Sequence, residues 1–371
     1  MTLECRVAID CTPLLGSPTG VGAFVAGALD GLRHATPPVH AVAYALSWRG
    51  RGDLAAALPA GVDIAGSTPP AGALLRVWRR VDRPVIEAFT GSVDVVHGTN
   101  FVVPPARRAG RVVTVHDLTA WRFPELCTTT TLRYPDLVRR AVDAGALVHT
   151  PTDAVADELC ERLGVGRERV TAIHHGLGPG PPGDADRGRG VAGAERFVLA
   201  LGTVEPRKDL PSLVRAFDLV ATETDLDLVI AGADGWGAEQ LTEAITTSKY
   251  GDRIRRIGYV GSQRRADLLA AATVFAYPSR YEGFGLPPLE AMAAGVPVVT
   301  TEVPAVVEVV GDAALVVPLG NHESLADAIM QAAGPAARGL IERGRARAAG
   351  FSWRDAAKAL ALLYERAAQR S

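Results

Sequence analysis

The stretch VFAYPSRYEGFGLPPLEAMAAGVPVV, residues 274–299, decides how the chain folds. Its first four residues are an apolar run of strand length. Glu282, Gly283, Phe284 and Gly285 then form a loop. A helix starts near Leu286 to Pro288, because proline suits a first turn whose N–H groups have no intrahelical partner. A second apolar run, 298–301, follows that helix. Uninterrupted apolar strands alternating with helices indicate a parallel sheet covered on both faces.

The same alternation runs through the whole chain. Strand candidates in the first half are 6–10, 40–46, 93–97, 111–115, 147–150 and 170–173. Those in the second half are 197–201, 226–231, 256–260, 274–277, 298–301 and 314–317. Helical patterns lie between them, for example 210–221 and 265–272, and an amphipathic helix is expected over 353–368. Two sets of about six strands predict two doubly wound α/β domains. Between them, residues 176–195 read GLGPGPPGDADRGRGVAGAE, rich in Gly, Pro and charge, with no apolar period. The expected layout is an N-terminal domain over 1–176, a linker over 177–195, a second domain over 196–352, and a C-terminal helix over 353–371 that can cross back to the first domain.

Composition narrows the functional classes. The chain has 371 residues, 48% hydrophobic and 22% charged, with a formal net charge of -2. That is an ordinary globular mixture, without the basic field that nucleic-acid binding requires. Cys5, Cys11, Cys127 and Cys160 form no C-x-x-C pair, so neither a zinc site nor a disulfide framework is expected. Reduced thiols and a start, MTLECRVAID, unlike a signal peptide suit the cytoplasm. No apolar stretch reaches the length of a spanning helix. High Ala, Arg and Gly content suggests a GC-rich bacterial gene.

Four constellations carry chemistry. In residues 274–299, Gly283 and Gly285 present backbone N–H groups at a helix start, where anions bind. Glu282 and Glu290 straddle that start, and carboxylates accept strongly from sugar and ribose hydroxyls. After strand 197–201 comes GTVEPRKDLPSL: Gly202 and Thr203 close the strand, and Arg207 and Lys208 precede a helix. Cations at a strand's carboxyl end face the crevice where open α/β sheets bind ligands. Strand 6–10 runs into CTPLLGSPTGVGAF, in which Gly16, Gly20 and Gly22 precede a helix. That spacing fails G-x-G-x-x-G, which weakens a nicotinamide-dinucleotide reading. Strand 111–115 ends in His116, Asp117 and Leu118, and strand 93–97 in His97, with Asn100 shortly after.

The string E-G-F-G-L-P-P-L-E-A-M-A-x-G-x-P-V-V resembles the donor-binding signature of family 4 retaining glycosyltransferases. The resemblance implies the GT-B fold, two facing Rossmann-like domains with a donor cleft between them. It assigns Glu290 to the nucleotide ribose and Glu282 to hydroxyls of the transferred sugar. It places the amides of Gly283, Phe284, Gly285 and Leu286 on sugar and diphosphate. G-T-x-E-P-R-K-D/N-L resembles the family's diphosphate clamp, which makes Arg207 and Lys208 catalytic with Glu282 and His116, as cations that stabilise the departing diphosphate, and makes Gly202 and Thr203 donor-binding. Tyr259 and Val260 fall near the base, and Gly20 and Gly22 near the phosphates. TVHDLTAWRFPE resembles bacterial mannosyl- and rhamnosyltransferases, which puts His116 at the reacting centre. Asp117 orients His116, meets the acceptor or caps the next segment, while His97 and Asn100 are acceptor candidates. His174 and His175 read as hinge residues.

The implied activity is metal-independent, retaining transfer of a hexose, with GDP-mannose the leading donor, to a saccharide, glycolipid or small-molecule acceptor. No cofactor or metal is expected: Asp184 and Asp186 lie in the linker, and Asp225 and Asp227 open a strand. Two rivals stand beside this. One is an epimerase- or phosphorylase-like enzyme, although Lys208, Lys249 and Lys358 offer no pyridoxal context. The other is a catalytically silent nucleotide-sugar-binding scaffold. Arg76, Arg79, Arg80 and Arg83 alternate with Leu75, Val77 and Trp78, as in helices lying on anionic lipid. Peripheral membrane contact is therefore an alternative to a solvated face over a buried tryptophan.

Overall fold

The computed structural model describes residues 5–16, 19–47, 51–66 and 71–370. Residues 1–4, part of the start read above as unlike a signal peptide, and residues 17 and 18 of the first glycine loop lie outside them. The chain divides into two units, residues 1–178 with 351–371, and residues 179–350.

Among the described residues, the first unit holds seven parallel strands: β1 (Cys5–Asp10), β2 (Val39–Tyr44), β3 (Asp63–Ile64), β4 (Val95–Gly98), β5 (Gly110–Thr114), β6 (Leu147–Thr150) and β7 (Val170–Ala172). They run in the order β3-β2-β1-β4-β5-β6-β7. The second holds β8 (Phe197–Leu201), β9 (Asp227–Ala231), β10 (Ile254–Gly258), β11 (Val274–Tyr277), β12 (Val298–Thr301) and β13 (Ala314–Val317), in the order β10-β9-β8-β11-β12-β13. Each order reverses direction beside its first strand, at β1/β4 and β8/β11, and such switch points are where doubly wound sheets take ligands. Strands β6, β8, β11, β12 and β13 have the residues expected of them. Among the described residues, β3, two exposed residues paired to Val42 and Ala43, is the strand the sequence pattern does not indicate.

The helices that matter to the sites are α1 (Gly20–Leu32), α2 (Ala71–Trp78), α3 (Ala185–Ala192), α4 (Leu210–Glu223), α5 (Ser262–Ala271), α6 (Leu286–Ala294) and α7 (Trp353–Ala368). Helix α7 packs within the first unit. Its Leu360, Leu363 and Tyr364 join the core of Val7, Phe24, Val95 and Val112. Gly27 and Gly31 of α1 are what permit this. A β-carbon on Gly27 would lie 2.0 Å from the Trp353 ring, and one on Gly31 2.4 Å from the Trp353 carbonyl oxygen.

The stretch expected as a linker is corrected by the structure. Asp184 caps α3 by accepting from the Arg187 N–H at 2.8 Å, and α3 lies against α5 within the second unit. Asp267 of α5, buried, accepts from the Asp184 N–H at 2.9 Å, from Arg187 Nε at 3.1 Å and from Arg187 Nη2 at 3.0 Å. Two glycines inside a helix oppose its propensity. Close approach explains one: a β-carbon on Gly188 would stand 2.0 Å from the Asp267 carbonyl oxygen.

A chain of hydrogen bonds crosses the first sheet beneath its carboxyl edge. Carbonyl oxygens only accept, so His149 Nε2 donates to the Ile173 carbonyl at 3.1 Å. The neutral ring therefore accepts at Nδ1, from Thr114 Oγ1 at 2.9 Å. Thr114 in turn accepts from His97 Nε2 at 2.7 Å, and His97 Nδ1 accepts from the Tyr364 hydroxyl at 2.8 Å. The chain thus joins α7 to β4, β5, β6 and the end of β7. Burial holds both histidines neutral: it pushes His149 down to about 3 and His97 well below the ordinary histidine value. Phe24 stacks on His149 and on His175, with ring centroids 5.3 and 4.8 Å away. His175 is therefore a core residue rather than a hinge.

Among the described residues, no helix is long and apolar enough to cross a membrane. Trp78 of α2 is buried and donates from Nε1 to the Pro84 carbonyl at 3.0 Å. Val77 and Val81 are exposed beside Arg76, Arg80 and Arg83.

Two outcomes are expected. Gly188→Ala should destabilise the second unit by about 1–3 kcal/mol through overpacking against α5. Helix propensity alone predicts a gain of about 1 kcal/mol, so the sign of the shift in a urea-unfolding midpoint decides between them. The second concerns pH. Both histidines have folded-state pKa values below the unfolded value of about 6.5, so below that pH the unfolded chain binds protons the folded chain refuses. Their stabilisation is present above the unfolded value and drains as pH falls below it toward each folded-state value, about 3 for His149. Lowering pH from 7.5 to 5.5 should cost about 1 kcal/mol per histidine, and identical urea midpoints at the two pH values would contradict the neutral assignment.

Candidate functional site

The second unit's switch point brings together the residues after β8 and β11. Gly202 follows β8 with φ +143°, and a β-carbon there would sit 3.4 Å from Lys208 Cε, so glycine leaves the lysine its path. The segment beyond is pinned to its neighbour: Val204 N–H donates to the Ala233 carbonyl at 2.9 Å and Gly237 N–H to the Val204 carbonyl at 3.0 Å. Pro206–Lys208 forms one 3-10 turn, and Asp209, at φ 46°, ends it and opens α4. The turn is what sets two consecutive cations on the sheet edge.

Both cations meet one carboxylate. Lys208 Nζ donates to Glu282 Oε1 at 2.5 Å and to the Tyr277 hydroxyl at 2.6 Å. Arg207 Nη1 donates to Glu282 Oε2 at 2.7 Å and to the Tyr281 carbonyl at 3.3 Å, while its Nε donates to Glu205 Oε2 at 2.8 Å. The Arg280 N–H, donating to the Arg207 carbonyl at 2.7 Å, ties the two loops together. Lys208 and Glu282 are each 8% exposed. Charges removed this far from water persist only when paired. Burial raises the Glu282 carboxyl, but Lys208 and Arg207 beside it outweigh that and hold it at about 2. Burial likewise pulls Lys208 below the ordinary lysine value, against the pull of Glu282.

The loop that carries Glu282 is anchored from β12. Thr300 Oγ1 donates to the Tyr277 carbonyl at 2.9 Å, and Thr301 Oγ1 donates to the Ser279 carbonyl. Gly283, Phe284 and Gly285 are buried, with Gly285 at φ 107° serving as the N-cap of α6. Pro287 and Pro288 have no N–H, so Leu286 holds the first turn's foremost amide. Glu290, in the second turn, is paired with Arg265 of α5, and burial raises its carboxyl despite that partner. The two glutamates of the spacing thus end on different partners. Beyond β10, Tyr259 is exposed and Val260 half-buried. Thr203, beyond β8, is exposed too.

In the first unit, His116 follows β5 and donates from Nε2 to the Thr99 carbonyl at 2.8 Å, which in the neutral ring leaves Nδ1 as the accepting nitrogen. Burial favours that neutral form. Phe24 and Phe101 stand edge-on to the ring, with centroids 5.3 and 6.0 Å away. Asp117 accepts from the Thr119 N–H at 2.9 Å, the local turn that was one of its three readings. Asn100 is half-buried. His97 corrects the expectation: it is 1% exposed and both ring nitrogens are engaged in the core chain, so it cannot meet an acceptor from this position. Gly22 is corrected likewise. Its N–H donates to the Thr19 hydroxyl at 3.1 Å as an ordinary helix cap, and a β-carbon there would meet the Pro13 carbonyl oxygen at 2.9 Å. Gly20, exposed at the head of α1, stays open to a ligand.

Four residues went unread. Glu205 and Tyr277 lie inside the quoted strings, but nothing in their spacing says that they close on Arg207 and Lys208. Arg265, a surface arginine by pattern, turns inward to Glu290. Asp10 ends β1, is 4% exposed, and burial raises its carboxyl to about 6 against hydrogen bonds from Thr12. A strand-terminal Asp two residues before Thr was the available signal. The carboxylates of the two Asp-x-Asp pairs meet arginines at the surface: Asp184 with Arg187, Asp186 with Arg189, Asp225 with Arg196, and Asp227 with Arg253 and Arg255.

Residues 18–180 match the profile described as Glycosyltransferase Family 4, and residues 184–342 that of Glycosyl transferases group 1. O-antigen chain mannosyltransferase B of Escherichia coli is 32% identical over 272 residues, 70% of this chain and 71% of that one. O-antigen chain mannosyltransferase RfbU of Salmonella typhimurium is 25% identical, covering 64% and 65%. A D-inositol 3-phosphate glycosyltransferase of Mycobacteroides abscessus is 30% identical over 62% of this chain and 54% of its own length. Among solved structures, sucrose-phosphate synthase of Thermosynechococcus elongatus superposes with a TM-score of 0.74 at 20% identity, covering 99% of this chain and 100% of that one. HepE of Anabaena, in complex with UDP-glucose, gives 0.73 at 18% identity over 98% and 100%. Two parallel Rossmann-like sheets, the Glu-x7-Glu string with its cation pair, and these likenesses establish the chain as a family 4 glycosyltransferase of the GT-B fold.

Proposed function

We propose that this glycosyltransferase moves a hexose with retention and without a metal, from a nucleotide-sugar donor to a saccharide, glycolipid or small-molecule acceptor. The observation that carries this is the pair Arg207 and Lys208 held at the sheet's switch point. A departing diphosphate develops negative charge, and preorganised cations in a poorly solvated site stabilise it. Asp225 and Asp227 stand at the start of β9, the sheet end opposite the cations, and Asp184 and Asp186 at the start of α3, which supports placing that task on the cations. Mannose from GDP-mannose is the favoured donor, on the likeness to the two O-antigen mannosyltransferases.

In this reading the amides at the head of α6 meet sugar and diphosphate, Glu290 and Arg265 face the ribose, and Glu282 accepts from sugar hydroxyls. The bond from the sugar's anomeric carbon to the diphosphate breaks. The diphosphate oxygen takes the acceptor hydroxyl's proton, and the acceptor oxygen bonds to the same face of that carbon. His116 offers Nδ1 to a substrate hydroxyl. The exposed valines and arginines at α2 support peripheral contact with anionic lipid, and the protein works from the cytoplasm.

Arg207→Ala and Lys208→Ala should each lower turnover at least tenfold, about 1.4 kcal/mol of transition-state stabilisation. Lys208→Ala empties a buried position and leaves Glu282 with Arg207 as its remaining cation, so its melting temperature should fall further than that of the less buried Arg207→Ala. Unchanged kinetics in both variants would return the pair to a structural role. Calorimetric titration with GDP, UDP and ADP in chelator should show binding of one of them. Binding that appears only after Mg²⁺ is added would refute metal independence.

A further inference from the structure

The cluster around the cation pair is electrically balanced. Arg207 and Lys208 carry two positive charges, and Glu205 and Glu282 two negative ones, each cation lying within 2.8 Å of a carboxylate oxygen. A diphosphate entering such a cluster meets no net positive charge. It must take over contacts that Glu282 already holds. Glu205 engages one edge of the Arg207 guanidinium, through Nε. Glu282 engages both cations at once, through its two oxygens. It is the carboxylate whose release would expose both.

Glu282 can release them only if something else satisfies it. A carboxylate this buried is strongly destabilised when its partners leave and nothing replaces them. Hydroxyl groups in the position of Lys208 Nζ and Arg207 Nη1 would serve, because a hydroxyl donates and carries no charge to be neutralised. A pyranose bearing adjacent hydroxyls is such a group.

Resting on the donor-site reading above, we propose that Glu282 couples recognition of the sugar to activation of the leaving group: hydroxyls of the correct sugar take Glu282 from Arg207 and Lys208, and the freed cations then take the diphosphate. The cation pair is therefore strong toward a nucleotide sugar and masked toward a nucleotide alone. A wrongly shaped sugar leaves Glu282 on the cations and is not activated. Glu282 is in this way a specificity-determining residue, as well as a sugar contact.

The test compares two ligands on three proteins, by titration calorimetry with GDP and GDP-mannose, or with UDP and UDP-glucose if only the uridine nucleotide binds. The wild type should bind the nucleotide sugar more tightly than the nucleotide. Glu282→Gln should bind the nucleotide about tenfold more tightly than the wild type, because a competing charge is gone, and should lose its preference for the nucleotide sugar. Its turnover should fall about tenfold or more. Glu282→Asp keeps the charge and should show no gain in nucleotide affinity. Melting curves with and without nucleotide confirm that each variant is folded, and the nucleotide-induced shift should be largest for Glu282→Gln. Equal nucleotide affinity in wild type and Glu282→Gln overturns the coupling while leaving the donor site intact. An equal gain in Glu282→Asp overturns it too, since charge would not be the cause. A wild type that binds neither ligand removes the donor site itself, and the coupling with it.

Discussion

Everything in the second unit's site turns on one buried carboxylate held between two cations. Glu282 is 8% exposed and accepts from Arg207 and Lys208. Such an arrangement is not a source of stability to be added up. Desolvating three charges costs about what their attraction returns. Its consequence is positional. An ion cluster that must be kept paired fixes the distance between the turn after β8 and the loop after β11. Those two loops flank the point at which the strand order reverses. Gly202 gives Lys208 room, Thr300 and Thr301 hold the Glu282 loop from below, and the Tyr277 hydroxyl accepts a second hydrogen bond from Lys208. Each of these serves the same three charges.

The first unit is organised by a different device, an uncharged one. A run of donors from Tyr364 to Ile173 passes through two buried neutral histidines, and the direction of every hydrogen bond follows from the carbonyl at its end. Buried polar networks are safe only when every member is satisfied. Helix α7 closes this one, with its Tyr364 as the terminal donor. His116 stands beside the network, ringed by Phe24, Phe101 and His175, and anchored by its Nε2. The two units thus offer different chemistry: charge in one, and in the other a neutral imidazole at His116 and, at the end of β1, a carboxyl at Asp10 that burial raises.

Fold class was legible because both sheets are parallel and buried, so their strands are continuous apolar runs that chain statistics cannot hide. The charged site was legible as a list of residues. Arg207, Lys208 and Glu282 stand in strings whose spacing is informative. Their mutual contact was not legible, because it depends on how two loops 75 residues apart in the chain meet. Residues 184–192 failed for a related reason. Gly188 reads as a helix breaker from propensity, yet it is there because α5 leaves no space for a side chain. His97 failed in the opposite direction. A histidine at a strand's carboxyl end invites a functional role, but its burial and its two partners come from α7 and β5, both remote in sequence.

The central claim is that Arg207 and Lys208 hold the diphosphate of the donor. The most direct measurement is a crystal structure of the protein with a bound nucleotide sugar. The account predicts a phosphate oxygen within hydrogen-bonding distance of Lys208 Nζ and of the Arg207 guanidinium, with Glu282 no longer bridging both. Phosphates seated elsewhere, with the Arg207–Glu282–Lys208 cluster intact, would contradict it.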